Sequence, residues 1–177
     1  MADRRSVELT RFAGLSPAPA LARFSLRGEL AALADALARF GVPVSRSACR
    51  AVEGELCAAL WLGPDEQLLL TPERNAAALS QALQAGLASI PHSLVDVSHR
   101  QTAFELNRPA ARTLLNAGCP LDLSHEAFPI GMCTRTLFEK SEIVLWRPAA
   151  DRFHVEVWRS FAPYVTALLA EVARELA

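Results

Sequence analysis

Three side chains of the kind that acid–base or nucleophilic sites use stand side by side in the segment VDVSHRQTAFEL, residues 95–106. They are Ser98, His99 and Arg100. A catalytic nucleophile needs a base within hydrogen-bond reach and a third group that orients this base. Neighbours on an extended chain point to opposite faces, so adjacency alone does not build such a site.

The apolar pattern around this run favours a structural interpretation. The more apolar residues stand at odd positions before the run and at even positions after it: Val95 and Val97, then Thr102, Phe104 and Leu106. A regular strand cannot change the parity of its buried face, so residues 98–101 are predicted to hold a bulge, a bend or a turn. The alternative is that His99 and Arg100 line a functional surface.

Other reactive side chains have no partners at the spacing that chemistry requires. The four cysteines form no CxxC pair and no Cys/His cluster, which favours reduced thiols, and Cys119 and Cys133 are interpreted as small buried side chains. His125, between Ser124 and Glu126, is typical of a capped turn. No dinucleotide, P-loop, zinc-protease or hydrolase motif is present.

Two Trp-Arg pairs, at 146–147 and 158–159, are the remaining conspicuous feature. Each tryptophan could lie in the core or anchor an interface, and both interpretations stay open. Trp and Arg together are typical of interface hot spots.

The elements that must position these residues follow from the apolar spacing. The sequence predicts strand, helix, hairpin, helix, and then strand, helix, hairpin, strand, helix. Thr71 is predicted to cap the second helix, with Pro72 at its first position. Ser160 is predicted to cap the last helix, with one apolar face formed by Phe161, Tyr164, Val165, Leu168, Leu169, Val172 and Leu176.

This order predicts an α+β fold of two ferredoxin-like βαββ-type halves, with mainly antiparallel sheet and helices on one side. We expect a loose N-terminal arm over residues 1–19 and a single domain over 20–177, with approximate halves 20–92 and 93–177. No internal sequence repeat is detectable.

Composition excludes several classes of function. The formal net charge of −1 comes from 18 basic and 19 acidic side chains, so nucleic acid is not an expected partner. No run approaches the roughly 20 apolar residues of a membrane span, and no apolar leader is visible near the N-terminus. We therefore expect a cytoplasmic protein without a membrane partner.

Three long segments resemble one known family. They cover residues 95–123, 127–147 and 153–169, and they are similar to the gamma subunit of heterotetrameric sarcosine oxidases. The resemblance implies the aminomethyltransferase-like, folate-binding fold. It also implies a noncatalytic subunit of a complex that oxidises sarcosine to glycine, with formaldehyde or 5,10-methylenetetrahydrofolate and hydrogen peroxide as the other products.

Partners and cofactors are likewise implied by the resemblance. The main contact is expected with the alpha subunit, in a complex that also holds beta and delta subunits. FAD, FMN, NAD and tetrahydrofolate are expected in the alpha and beta subunits and zinc in the delta subunit. No catalytic, cofactor-binding or metal residue is expected here, and the predicted interface residues are His99, Arg100, Trp146, Arg147, Trp158 and Arg159.

One departure from the related aminomethyltransferases bears on activity. Their corresponding helix runs into a Leu-x-Asn-Asp type turn whose carboxylate serves the folate reaction, whereas residues 115–119 here are Leu-Asn-Ala-Gly-Cys, with no acid before Asp122. The alternatives are a stand-alone folate-binding or one-carbon-transfer protein that uses His99, Arg100 or Asp122, or the same subunit in a related N-methyl amino acid oxidase or dehydrogenase.

Overall fold

The computed structural model describes residues 14–107 and 109–175 of the chain. Within these ranges the helices are α1 (Leu30–Ala38), α2 (Ala76–Leu87), α3 (Ala111–Asn116) and α4 (Ala162–Glu175). The strands are β1 (Leu15–Pro17), β2 (Leu21–Arg27), β3 (Ala51–Glu53), β4 (Ala58–Gly63), β5 (Glu66–Pro72), β6 (Ser93–Asp96), β7 (Gln101–Asn107), β8 (Cys133–Phe138), β9 (Ser141–Ala149) and β10 (Arg152–Trp158). None of these helices is long and apolar enough to cross a membrane.

The described residues form two compact units. The continuous unit contains Pro19–Ser98, and the discontinuous unit contains residues 14–18 and 99–175. Each unit has one five-stranded antiparallel sheet, in the order β3-β4-β5-β2-β6 in the first and β1-β7-β10-β9-β8 in the second. The predicted α+β class, with two antiparallel halves, is confirmed.

The core of the continuous unit lies between one face of its sheet and the two helices. Alternate residues of β2 pack there, including Phe24 and Leu26, because strand side chains alternate between faces. The helices contribute residues at a spacing of three or four, namely Leu33, Leu37, Leu79, Leu83 and Leu87. Gly41 has φ of 68° and follows α1 closely, in agreement with the predicted end of that helix.

The start of α2 differs from the prediction. Thr71 belongs to β5, where it is fully buried and its hydroxyl donates to the Leu56 carbonyl at 2.6 Å. The chain then makes a short 3₁₀ turn, Glu73–Asn75, before α2 begins at Ala76. The predicted Thr71 cap was therefore wrong, because the Thr71 hydroxyl is engaged by a carbonyl in the loop between β3 and β4.

The core of the discontinuous unit lies between its sheet and the helices α3 and α4. Phe153, Val155 and Val157 of β10 face this core, because alternate residues of a strand point to the same side. Val165, Leu169 and Ala173 are the buried residues of α4. The predicted stripe was too wide, because Phe161 precedes the helix and is exposed, as is Tyr164 in its first turn. Leu176 lies outside the described residues.

The N-terminal arm is described only from Gly14 onward. Leu15–Pro17 forms β1, which pairs antiparallel with β7 in the register Leu15↔Leu106. Leu15 is buried in the core of the discontinuous unit. This part of the predicted arm is therefore an edge strand, and residues 1–13 lie outside the described residues.

The Ser-His-Arg run forms the turn between the two units. β6 pairs with β2 in one sheet and β7 pairs with β1 and β10 in the other, so the predicted turn is confirmed. Ser98 stabilises it by accepting the Arg23 backbone N–H at 2.9 Å. Val95 does not face the core as predicted, because it is half exposed and Leu94 packs on the core instead.

Candidate functional site

Trp158 is the last residue of β10 and the centre of the most conspicuous exposed feature. It pairs in register with Gln101, the first residue of β7, on the face that also carries Glu156. Its side chain is 42% exposed, although two neighbouring strand residues on that face are buried. A large apolar side chain fixed on a strand and open to solvent is unusual enough to require an explanation.

Two arginines lie near Trp158, since Arg159 follows it in the chain and Arg100 lies beside its ring. The Arg159 backbone N–H donates to the Arg100 carbonyl at 3.1 Å, which brings the turn before β7 next to the end of β10. The Arg100 guanidinium carbon lies 5.7 Å from the Trp158 ring centroid, within range of a cation–π interaction. Arg100 therefore restricts the orientation of the indole from one side.

Two further exposed aromatic side chains continue from Trp158. The Phe161 backbone N–H donates to the Trp158 carbonyl at 2.9 Å, and Tyr164 follows one turn later at the start of α4. Phe161 and Tyr164 are 42% and 40% exposed. We refer to Arg100, Trp158, Arg159, Phe161 and Tyr164 together as the Trp158 surface.

Three other predicted interface residues lie outside this surface. His99 is exposed in the turn directly before Arg100. Trp146, in β9, is 9% exposed, and its ring lies edge-on to that of His154 with centroids 5.9 Å apart. The structure thus unites Arg100, Trp158 and Arg159, whereas Trp146 and Arg147 belong to the interior.

Arg147 is 1% exposed and holds the segment 122–132 against β9. Its guanidinium donates to the carbonyls of Phe128 at 2.8 Å and Ala150 at 2.5 Å, and to His125 Nδ1 at 2.9 Å. It also stacks on the Phe153 ring at 5.1 Å. Burial lowers the pKa of Arg147, with Arg112 acting in the same direction, but the many donated hydrogen bonds satisfy its charge.

The sequence did not indicate a buried hydrogen-bonded pair on β10, formed by His154 and Glu156. His154 Nε2 lies 2.8 Å from Glu156 Oε1, and the two side chains are 4% and 0% exposed. The available signal was their i, i+2 spacing on the face of β10 opposite the aliphatic residues. A buried carboxylate requires such a partner, so this pair has a structural explanation.

The turn around His125 agrees with its prediction. Asp122 Oδ1 accepts the Ser124 backbone N–H at 2.8 Å, and the Ser124 hydroxyl accepts the Ala127 N–H at 3.2 Å. The bond from Ser124 lowers the pKa of Asp122. No hydrogen bond or ion pair in the described ranges joins Asp122 to His99 or Arg100, the other residues of the alternative folate site.

The thiols also behave as predicted. Cys57, Cys119 and Cys133 are buried, and all four cysteines are free. Burial raises the pKa of Cys57 to about 12, so this thiol is a poor nucleophile near neutral pH. Across residues 14–107 and 109–175, no three His, Cys, Asp or Glu side chains are grouped to hold a metal ion.

Comparison with known families shows to which family this chain belongs. The family model for "Sarcosine oxidase, gamma subunit family" matches residues 28–175. The chain belongs to this family. Within the gamma subunit family, a sarcosine oxidase subunit gamma from Corynebacterium sp. strain P-1 is 34% identical over 151 residues, which cover 85% of this chain and 72% of that relative. Subunit gamma from an Arthrobacter species is 36% identical over 98 residues, covering 55% of this chain and 47% of the relative.

Solved structures agree with the gamma subunit family and with the folate-binding fold. Heterotetrameric sarcosine oxidase from Corynebacterium sp. U-96 in complex with pyrrole 2-carboxylate contains a chain that matches with a TM-score of 0.81 and 26% identity, covering 99% of this chain and 96% of that chain. Aminomethyltransferase T of the glycine cleavage system from Bartonella henselae matches with a TM-score of 0.69 and 15% identity, over 88% of this chain and 44% of that chain. The second likeness concerns the fold alone.

Packing explains why residues 115–119 contain no acidic residue. Gly118 accepts the Glu139 N–H at 2.7 Å through its carbonyl. A Cβ atom at Gly118 would lie 2.9 Å from the Phe138 ring, which is fully buried. No side chain, and thus no carboxylate, fits at Gly118 unless Phe138 moves.

Proposed function

We propose that this chain is a noncatalytic subunit of a heterotetrameric sarcosine oxidase complex and that it stabilises the alpha subunit there. The observation that carries the proposal is the match to a chain of heterotetrameric sarcosine oxidase over 99% of this chain, with a TM-score of 0.81. A match over nearly the whole of both chains supports the same role in an assembly, beyond a shared fold.

The side chains support a role in assembly over one in catalysis. The buried polar groups that could do chemistry are engaged within the chain, as Arg147 is with backbone carbonyls and His154 is with Glu156. Gly118 has no room for the carboxylate of the folate reaction. By contrast, the Trp158 surface exposes side chains of the types that dominate protein interfaces.

The chemistry of the proposed complex belongs to its other subunits. Sarcosine, water and oxygen give glycine, formaldehyde and hydrogen peroxide, and with tetrahydrofolate the one-carbon unit leaves as 5,10-methylenetetrahydrofolate. We assign FAD, FMN, NAD and tetrahydrofolate to the alpha and beta subunits and zinc to the delta subunit. This chain contributes a folded surface that the alpha subunit covers.

Co-expression with and without this chain tests the proposal. We expect the alpha, beta and delta subunits to form a stable, sarcosine-oxidising complex only when this chain is present and co-purifies with them. Titration calorimetry of the isolated chain with tetrahydrofolate should show no binding. Full assembly and activity without the chain, or tight folate binding by the chain alone, would contradict the proposal.

A further inference from the structure

The Trp158 surface is continuous and held in place by backbone contacts. The Phe161 N–H donates to the Trp158 carbonyl at 2.9 Å, and the Val165 N–H donates to the Phe161 carbonyl at 3.0 Å, which begins the first turn of α4. Trp158 itself is paired with Gln101 within the sheet. Trp158 and Tyr164 therefore project from regular elements, whose geometry is more rigid than that of a loop, and Phe161 projects from the short turn between them.

The charge on this surface is positive, and no carboxylate of residues 14–107 and 109–175 pairs with it. Arg100 and Arg159 are both exposed, and in the part of the chain that the structure describes neither lies within 4 Å of a carboxylate. Some exposed arginines elsewhere do have such partners: Arg46 lies 2.5 Å from Asp35, Arg27 lies 2.7 Å from Glu66, and Arg174 pairs with Glu171. Two free guanidinium groups beside exposed aromatic rings are complementary to an acidic and apolar surface.

We propose that the Trp158 surface is the docking site for the partner subunit, and that the partner presents an apolar pocket bordered by carboxylates. Trp158 fills the pocket, and Arg100 and Arg159 pair with the carboxylates at its rim. This inference rests on the proposed function, because it names the surface through which the subunit joins its complex.

The contact between Arg100 and Trp158 prepares this surface for binding. The guanidinium 5.7 Å from the indole centroid limits the rotamers of both side chains before the partner arrives. Less conformational entropy is then lost on association, which strengthens binding without further contacts. The arginines at the rim should chiefly raise the association rate, and this effect should weaken as salt screens the charges.

Two variants and two matched controls test the surface in the co-expressed complex. Trp158→Ala removes the anchor, and the double variant Arg100→Glu with Arg159→Glu reverses the charge of the rim. Val52→Ala is the control for loss of an exposed apolar side chain, since Val52 is 41% exposed in the other unit. Arg39→Glu is the control for charge reversal, because Arg39 is exposed and lies 4.9 Å from the centroid of the Phe40 ring.

The measurement is the apparent dissociation constant of each variant for the complex of the other three subunits, at low and high salt. We expect Trp158→Ala to weaken binding at least tenfold, since aromatic hot spots typically contribute that much. The double charge reversal should weaken binding by a similar factor at low salt and less at high salt. Both controls should bind like the native chain, and Trp158→Phe should recover part of the affinity.

The outcomes separate this inference from the proposed function. If the native chain binds and both surface variants bind equally well, the Trp158 surface is not the docking site, although the proposed function stands. If the native chain itself does not bind, the proposed function fails first. If the isolated chain forms a dimer that Trp158→Ala disperses, the occupant is a second copy, which also overturns the inference.

Discussion

The two Trp-Arg pairs of this chain lie in adjacent, hydrogen-bonded strands and have opposite surroundings. Trp146 and Arg147, in β9, are 9% and 1% exposed, whereas Trp158 at the end of β10 is 42% exposed and Arg159 is exposed beside it. Each pair has the same residue types in the same order. The dipeptide alone therefore carries no information about whether it serves the interior or an interface.

Position in the sheet accounts for the difference. β9 lies between β8 and β10, so Trp146 has neighbours on both sides, Cys133 and His154. The next residue, Arg147, donates to the Phe128 and Ala150 carbonyls. Trp158 instead ends its strand, where the chain turns into α4. The interior pair is thus surrounded by its own chain, whereas the terminal pair is exposed.

The largest expected effect is a difference in stability between alanine variants of the two tryptophans. Trp146→Ala should lower the free energy of unfolding by about 3–5 kcal/mol, because it leaves a cavity next to His154. Trp158→Ala should lower it by less than about 1 kcal/mol, because much of the side chain is already in water. Guanidinium denaturation of the isolated variants measures both values. Equal losses of unfolding free energy in the two variants would contradict the different surroundings of the two tryptophans.

The two arginines should differ in the same way, with the larger loss of unfolding free energy at the interior residue. Arg147→Ala should cost about 2–4 kcal/mol, because buried carbonyls in the segment 122–132 and at Ala150 lose their donor. Arg159→Ala should change the free energy of unfolding by no more than about 0.5 kcal/mol. Arg147→Lys is the matched variant that keeps the charge and loses the planar fork, and we expect an intermediate loss. If Arg147→Ala lost no more stability than Arg159→Ala, the contacts of the Arg147 guanidinium would be weak.

The smallest expected effect is the pH dependence of the stability that Asp122 contributes in the segment 122–132. The Ser124 N–H bond holds the pKa of Asp122 below its ordinary value of 3.8, so the ionised carboxylate is favoured in the folded state. Its stabilising contribution is present above that ordinary value and is lost as the pH falls through the lowered pKa. The difference in stability between the native chain and Asp122→Asn should therefore shrink on acidification. A difference that is constant between pH 6 and pH 3 would contradict this assignment.

The order of elements and the family could be predicted from the sequence because both depend on local patterns. Alternation placed Phe153, Val155 and Val157 on the core face of β10, and the spacing of Leu79, Leu83 and Leu87 marked the buried face of α2. The long segments over residues 95–169 identified the gamma subunit family, which the family model confirmed.

The remaining details depended on contacts between residues distant in sequence. Thr71 has the residue type of a helix cap, but the carbonyl it bonds belongs to Leu56, which no local pattern indicates. Arg147 was interpreted by its neighbour Trp146, whereas its partners are Phe128, Ala150 and His125. The i, i+2 spacing puts His154 and Glu156 on one face of β10, but only the fold shows that this face is buried.

Hydroxyl-radical footprinting of the two tryptophans, in the free chain and in the assembled complex, tests whether the Trp158 surface joins the subunit to its partner. We predict that Trp158 is oxidised readily in the free chain and is protected in the complex, while Trp146 is protected in both. Equal oxidation of Trp158 in the free chain and in the complex would contradict the claim that this surface joins the subunit to its partner.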